Sequence, residues 1–416
     1  MHVVIFEGSR WPTFAPLSLG RPSPMLATGI SNLLDKQIRF LAPSRLTLWV
    51  RPGLVEYTRR RVVPKLPLAA AVNEPLDDGP ALLVSARTLF LRRFEHANEP
   101  NVAAEEGIIH HALVRGAAGL SPADAMNRTP AWLKLLDLPQ APVQARMVHF
   151  LWDLIKWNEE SLIQDYATMK AASSPRPSGP YHVVEEDCMW FGPKVRIEPG
   201  VVLDASKGPV MIDHDAEIGA SSVLRGPCHI GAFAQIKPQT LIRPGTTIGA
   251  MCQVAGEVSN SIMFGCSNKS HYGYLGDSYV GKWVNLGAGT TTSNLKNTYG
   301  SITAFSGEGA SNTGRRNLGS VIGDHAKTAI GTRLMAGTYL GFCAMVATSA
   351  HAPKFVGSFT FLTDQGAQPY RVDKAIEVMK AMFARRDRQA DDLDEQVIRY
   401  VAQTAPSVEA ALAREA

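Results

Sequence analysis

Long apolar runs are missing from this 416-residue chain: none approaches the roughly 20 consecutive apolar residues of a membrane helix, which argues against membrane insertion. The N-terminal stretch MHVVIFEGSRWPTF also lacks the basic, apolar and small-residue order of a signal peptide, so a cytoplasmic protein is expected. Cysteine is scarce. The five cysteines, at 188, 228, 252, 266 and 343, form no CxxC pair and share no spacing, so neither a disulfide framework nor a zinc site is indicated. The net charge, 42 − 38 = +4, is too small to point to nucleic acid. A single small module is excluded by length, since roughly 150 residues per domain leaves room for two or three.

Charge is unevenly spread. From Met1 to Leu66 the chain carries ten Lys or Arg against three Asp or Glu, and Arg59, Arg60 and Arg61 form a basic run. With no interleaved aromatics or phosphate loop, the run reads first as a solvated helix face and second as a surface for a phosphorylated ligand. Residues 171–180, AASSPRPSGP, cannot hold a helix and mark a linker. Upstream, the apolar runs Val3 to Phe6, Leu46 to Val50 and Leu82 to Val84 alternate with helical patterns such as Phe150 to Met169, which predicts an α/β domain.

Downstream the helical period gives way to a repeat. Every sixth residue from 212 is a large aliphatic: Ile212, Ile218, Leu224, Ile230, Ile236, Ile242, Ile248 and Val254. Eight apolar hits in a preset register occur by chance roughly once in 250 trials at average composition. Two residues before each aliphatic from Ile218 on stands a small residue: Ala216, Ser222, Cys228, Ala234, Thr240, Thr246 and Cys252. The phase returns at Val280 and Leu286, and again from Ile322 through Thr328, Leu334 and Leu340 to Val346. Such hexads predict a left-handed parallel β-helix, each coil having three six-residue sides with the aliphatic pointing inward. Cys228 and Cys252 fall on the small track and read as core. Residues 255–279 and 290–319 break the phase, are polar and Gly-rich, and are expected to be loops thrown out of the solenoid. From Asp373 a helical pattern resumes, expected to cap the solenoid or to pack on a neighbouring subunit. The expected organisation is an α/β domain over 1–170, a linker over 171–189, the β-helix over 190–358 and a helical segment over 359–416.

Within the repeat, His271, Tyr274, Leu275, Gly276, Asp277, Gly281, Val284, Asn285, Gly287, Ala288, Gly289, Thr290 and Asn294 resemble the acetyltransferase half of bifunctional N-acetylglucosamine-1-phosphate uridyltransferase/glucosamine-1-phosphate acetyltransferases. The run GEVSNSIMFGCSNKSHYGYLGDSYVGKWVNLGAGTTTSNLKNTYG is similar to a divergent bacterial branch that joins a sugar-nucleotidyltransferase-like domain to a hexapeptide acyltransferase domain. The resemblance implies that His271 is the general base that deprotonates a sugar amine attacking the acetyl-CoA thioester, work that suits an ordinary imidazole pKa near 6.5. It places Tyr274, Asn285 and Asn294 on the sugar phosphate and hydroxyls, and the backbone of Ala288 on the coenzyme. Gly287 to Gly289 offer amides close to a ligand, one of them for the thioester oxyanion. Lys237, in IKP, stands where the family has a basic contact, whereas QVAGE over 253–257 lacks the family's sugar-phosphate lysine. His325 and Lys327, one set of coils later, line either the coenzyme channel or the hexad stack.

At the N-terminus, PLSLGRPSPML resembles the PLT…KP segment of sugar-1-phosphate nucleotidylyltransferases, with Arg21 and Pro22 at the lysine-proline position. That chemistry needs a loop for the triphosphate, a basic residue and an aspartate for Mg²⁺. Here the loop is EGSR, residues 7–10, and Ser85, Ala86 and Arg87 stand where the aspartate would be. Arg10 and Arg21 are the candidates for nucleotide binding. Asp153 is shared with the divergent branch or is structural. Mg²⁺ is implied only if this domain is active, and the residues indicate no metal ligand set. The implied function is an acetyl-CoA-dependent N-acetyltransferase on an amino-sugar phosphate or nucleotide sugar, as a homotrimer. The alternatives are a sugar-1-phosphate nucleotidylyltransferase using UTP or dTTP, and an inactive trimeric sugar-nucleotide-binding protein.

Overall fold

The computed structural model describes residues 1–415. Its N-terminal part is a six-stranded sheet built from β1 (His2–Phe6), β2 (Arg45–Trp49), β3 (Ala70–Val72), β4 (Ala81–Ser85), β5 (Asn101–Glu105) and β6 (Ile108–Val114), with α1 (Leu33–Leu41) between β1 and β2. The strand order is β3-β2-β1-β4-β6-β5, parallel through β4 and antiparallel at β6 and β5. Alternation splits each central strand. Val3 and Ile5 pack with Leu34, Ile38 and Leu41 of α1, while Val4 and Phe6 pack with Trp132 on the other face. Burial on both faces explains why these strands read as unbroken apolar runs. An Asn32–Asp35 capping box starts α1, and Ala42 in the left-handed region ends it.

The expected helix over 150–169 is two, α2 (Leu151–Lys156) and α3 (Asn158–Met169). Asp153 caps α2, its Oδ2 accepting from the amides of His149 and Phe150 at 2.9 and 3.0 Å. In α3, buried Asp165 accepts from Lys36 Nζ at 2.5 Å and Arg39 Nη1 at 2.8 Å, which ties α3 to α1. Gly29, at φ +67°, passes so close to Asp165 that a Cβ there would collide with its carboxylate.

The rest of the chain up to residue 363 is a parallel β-solenoid with three faces. Face A starts at His182–Val184, face B at Met189–Phe191 and face C at Arg196–Ile197; faces B and C gain a strand with each coil, and face A does so up to Tyr274–Gly276 and resumes as the pair Thr291–Thr292 and Arg333–Leu334. The aliphatic column from Ile212 to Val254 is at most 2% exposed, and the small residues at the corners are equally buried. The buried thiols of Cys228 and Cys252 are pushed up to about 12 by desolvation, as core positions require.

The stretch 255–279 is not a loop. Its strands continue all three faces, but in tighter coils. Val210 pairs with Cys228, a full three-hexad coil away, whereas the coil from Thr247 to its partner Ile262 is three residues shorter and the coil from Ile262 to Tyr279 is one residue shorter. These shortened corners displace the hexad phase while Val258, Met263 and Leu275 still fill the interior. The second interruption does leave the solenoid. Tyr279 pairs with Val321, more than two coil lengths further along the chain, and the excess forms a hairpin, Thr303–Ser306 against Gly309–Asn312. Ile302, Ala304 and Leu318 bury against Phe14, Leu17 and the α2 residues, so the insertion docks on the N-terminal domain.

Between faces B and C the chain turns through a residue in the left-handed region, three positions after the inward aliphatic of face B: Phe233, Met251, Cys266, Trp283, His325, Cys343 and Phe359. Their side chains form a column along one edge. Helices α4 (Val372–Ala384) and α5 (Asp392–Glu415) lie against its upper part, where Phe383 meets Trp283 at 4.4 Å and Ala375, Ile376 and Met379 are buried. The C-terminal segment thus covers a flank of its own chain. The end of face C is closed by an antiparallel strand, Gly366–Pro369. Arg60 and Arg61, expected on a solvated face, bridge to Asp391, Asp392 and Asp394 at the start of α5.

His110 and His111, adjacent in β6, are both buried, and desolvation lowers both, His111 to about 4. Below pH 6.5 the unfolded chain takes protons that the folded imidazole refuses, so stability falls as pH drops from 6.5 toward 4. For His111 alone the loss at pH 5 is on the order of 2 kcal/mol. The urea midpoint of the wild type is expected to drop between pH 7.5 and 5, and that of His111→Leu to drop by less.

Candidate functional site

The sequence-derived residues of the solenoid gather on the edge between faces C and A. Asn268–Lys269 and Asn285–Leu286 are neighbouring strands of face C, and Tyr274–Gly276 belongs to face A, so His271 sits on the corner that joins them. Its imidazole is exposed and has no hydrogen-bond partner among the described residues. Asn285, also exposed, flanks it on face C, beside Lys327 of the next coil. On face A the Asn294 Nδ2 donates to the Tyr274 hydroxyl at 3.2 Å and to Asp277 Oδ2 at 2.6 Å. Asp277, 6% exposed, also accepts from Asn260 Nδ2 at 2.6 Å. Tyr274 is raised by burial and then by Asp277 and Glu257, so its phenol keeps its proton.

Ala288 stands on the same edge one coil further. Its carbonyl accepts from Gly331, while the amides of Gly287 and Gly289 are used by Thr328 and Tyr272. Within Gly287 to Gly289 only the Ala288 N–H is without a hydrogen bond among the described residues. Lys237 lies on this edge two coils earlier, its Nζ held by Gln235 Oε1 at 2.8 Å. At about 4.8 Å per coil that is roughly 10 Å from His271. His325 is elsewhere: it occupies the column between faces B and C, and Lys327 donates to its carbonyl.

Lys269 was not visible as a site residue. It replaces an aliphatic on the inward track, paired with Val254, and is 2% exposed. Its Nζ donates to the carbonyls of Ala255 at 2.6 Å and His271 at 3.2 Å, which fixes the backbone of the His271 corner. Burial lowers this lysine to about 8. Only the hexad count through a shortened coil would have found it.

A second cleft lies in the N-terminal domain. Chain order reverses across β1, which has β2 on one side and β4 on the other, and ligands bind at the carboxyl ends of strands at such points. Gly8, Ser9 and Arg10 follow β1, Ser85 ends β4 and Arg87 follows it, and Arg128 completes the cleft. Arg87 is buried. It donates to Thr13 Oγ1 and the His149 carbonyl at 2.5 Å each, leaves Nη1 unpartnered, and is lowered by desolvation to about 9. A buried guanidinium in the cleft does not fit a Mg²⁺ ion, and the described residues contain no cluster of three or more His, Cys, Asp or Glu. Arg10 is held by Glu308 of the solenoid hairpin, Nε to Oε1 at 2.6 Å. Arg21 is not in this cleft: it is 3% exposed, pairs with Asp324 of the solenoid, and lies 4.3 Å over the Phe264 ring.

A family model described as sugar nucleotidyl transferase matches residues 3–174. A bifunctional sugar-1-phosphate nucleotidylyltransferase/acetyltransferase of Sulfurisphaera tokodaii is 33% identical over 153 residues, covering 36% of this chain and 38% of that protein. A bifunctional protein GlmU of Synechococcus sp. (strain RCC307) is 32% identical over 194 residues, 42% of this chain and 38% of its own. The chain is related to GlmU-like bifunctional proteins. It pairs an N-terminal nucleotidyltransferase-like domain with a hexapeptide-repeat, acyltransferase-like β-solenoid, and spans 38% of the length of each of these two relatives. A solved UDP-N-acetylglucosamine acyltransferase of Francisella novicida aligns over 53% of this chain and 90% of its own at 15% identity, with a TM-score of 0.20.

Asp277 accepts from two amides, Asn260 and Asn294, and an amide in its place can accept from only one while opposing the other. Asp277→Asn is expected to cost about 1–3 kcal/mol, read as a lower urea midpoint, because a buried donor is left unpaired.

Proposed function

We propose that the solenoid is an acetyl-CoA-dependent N-acetyltransferase for an amino-sugar phosphate or nucleotide sugar, working as a homotrimer in the cytoplasm. The observation that carries this reading is the free, exposed imidazole of His271 on a corner between Asn285 on one face and the Tyr274–Asn294 pair on the other. The substrate nitrogen attacks the thioester carbonyl carbon, His271 takes the amine proton, and the carbon–sulfur bond breaks as the imidazolium passes that proton to the departing sulfur, so the coenzyme leaves as its thiol. The unoccupied N–H of Ala288 is the donor for the oxyanion that forms meanwhile. Tyr274, Asn285 and Asn294 hold the sugar, and Lys237 meets a phosphate reaching down the same edge.

The N-terminal cleft favours binding of an anionic sugar nucleotide through Arg10 over metal-dependent nucleotidyl transfer, because the resemblance puts Ser85, Ala86 and Arg87 where the family has its metal-binding aspartate, and Arg87 brings a cation into the cleft. Free-thiol release from acetyl-CoA, measured with glucosamine-1-phosphate and a panel of amino sugars and amino-sugar nucleotides, tests the proposal. Turnover is expected in the wild type, with kcat lowered about 10²- to 10⁴-fold in His271→Ala. Absence of turnover across the panel in a folded, trimeric protein would refute it.

A further inference from the structure

The N-terminal domain, the solenoid and the C-terminal helices meet around a cavity of about 140 Å³, distinct from both sites described above. Its walls carry five cationic side chains, Arg21, Arg61, Lys65, Lys282 and Arg388, against two carboxylates, Asp324 and Asp394. Both carboxylates are already engaged. Asp324 takes Arg21 on one oxygen and the Lys282 amide on the other at 2.8 Å, and Asp394 takes Arg388 at 2.7 Å with Arg61 at 3.6 Å.

Three donors at this cavity remain unspent. Arg21, 3% exposed, has an unpartnered Nη1. The Nδ1 of His325 is unpartnered as well. The ammonium of Lys282 has no hydrogen bond or ion pair among the described residues, only the Phe264 ring at 4.8 Å. Lys65, exposed at the mouth, has neither. Burying Arg21 with a donor unmet, beside a half-buried lysine that also lacks a partner, is costly unless an acceptor fills the space. Burial next to Arg21 already lowers Lys282 to about 8, the response of a cation short of a counter-charge.

We propose that this junction is a binding site for a small phosphate oxyanion, orthophosphate or pyrophosphate, held by Arg21, Lys282 and His325 with Lys65 at the entrance. The volume sets the size. It is far above the roughly 10–15 Å³ a single water needs and well below the roughly 300 Å³ at which ordinary ligand pockets begin, so a whole nucleotide does not fit. The ligand touches all three parts of the chain at once, since Arg21 comes from the N-terminal domain, Lys282 and His325 from the solenoid, and Phe383 and Arg388 from the C-terminal segment. Occupancy therefore stabilises their docking.

The test uses the full chain in phosphate-free buffer at constant ionic strength, with thermal shift and calorimetric titration of orthophosphate, pyrophosphate, UMP and potassium chloride. Orthophosphate or pyrophosphate is expected to bind saturably and raise Tm, while chloride does not. Lys282→Met, confirmed folded by circular dichroism, is expected to weaken Kd at least about 10-fold, and Lys65→Ala, at an exposed position, by about 2- to 10-fold. Arg10→Ala and His271→Ala are expected to keep wild-type affinity, which separates this site from the other two. No saturable binding of either inorganic ion at about 10 mM, unchanged affinity in both lysine variants, binding of UMP alone, or loss of binding in Arg10→Ala would each overturn the proposal.

Discussion

The rest of the molecule depends on one constraint: each side of a solenoid coil must place a residue inside a three-sided stack whose backbone hydrogen bonds run only to the coils above and below. Ile212 to Val254 satisfy it with aliphatics at most 2% exposed. Because the ladder is indifferent to corner length, two coils lose residues at their corners and a later one gains a whole hairpin without a break in faces B and C. The site edge is a product of this. Shortening the coil that carries Lys269 brings a lysine onto the inward track, and its ammonium is satisfied by the carbonyls of Ala255 and His271. A buried polar group that spends its bonds on the backbone of a corner rigidifies that corner.

The second constraint is docking. The N-terminal domain is fastened through buried polar contacts rather than through apolar area alone. Asn158 of α3 accepts from Gly29 at 2.6 Å and donates to the Gly245 carbonyl at 2.8 Å, joining a turn, a helix and the solenoid. Glu7 takes Arg51 at 2.6 Å together with the amide and hydroxyl of Ser23, which pins the PLSLGRPSPML segment. Arg21 leaves that segment toward Asp324. A residue aligned by resemblance with a phosphate-binding lysine thus serves as the bolt between domains, and its guanidinium is out of reach of the cleft lined by Arg10.

Much of the fold was legible because it rests on period. Val3 to Phe6, Leu46 to Trp49 and Leu82 to Val84 lie in strands, and the hexad and its small-residue track hold at every counted position outside the broken phase. What failed was the assumption that a lost phase means a loop. Residues 255–279 expose polar side chains while Val258, Met263 and Leu275 point inward, a pattern that needs the corner lengths before it can be seen. The gathering of His271, Tyr274, Asn285 and Asn294 on one edge follows from resemblance and register. The acidic partners of Arg10, Arg21, Arg60 and Arg61 do not, because they come from the far end of the sequence, where no local pattern carries information.

Arg87 shows what such distant contacts do to a cleft. At the carboxyl end of β4, where a carboxylate would gather a cation, a guanidinium is wedged over the Phe14 ring at 4.5 Å and tied to the carbonyls of Val148 and His149. Among the described residues its charge has no ion-pair partner, and Arg10 beside it is a further cation whose ion-pair partner, Glu308, arrives from the solenoid hairpin. The strength of the cleft's positive charge, to which Arg128 also contributes, therefore depends on where that hairpin sits. With Glu308 in place the two arginines are partly balanced, and without it they are an anion site with one unpartnered Nη1. The solenoid insertion that sets this balance leaves the coil after Thr291–Thr292, the strand that follows Gly287 to Gly289, so the two clefts are joined by a single continuous segment of chain. Coupling between them needs no longer route than that segment, provided a ligand at either end binds one hairpin position better than another.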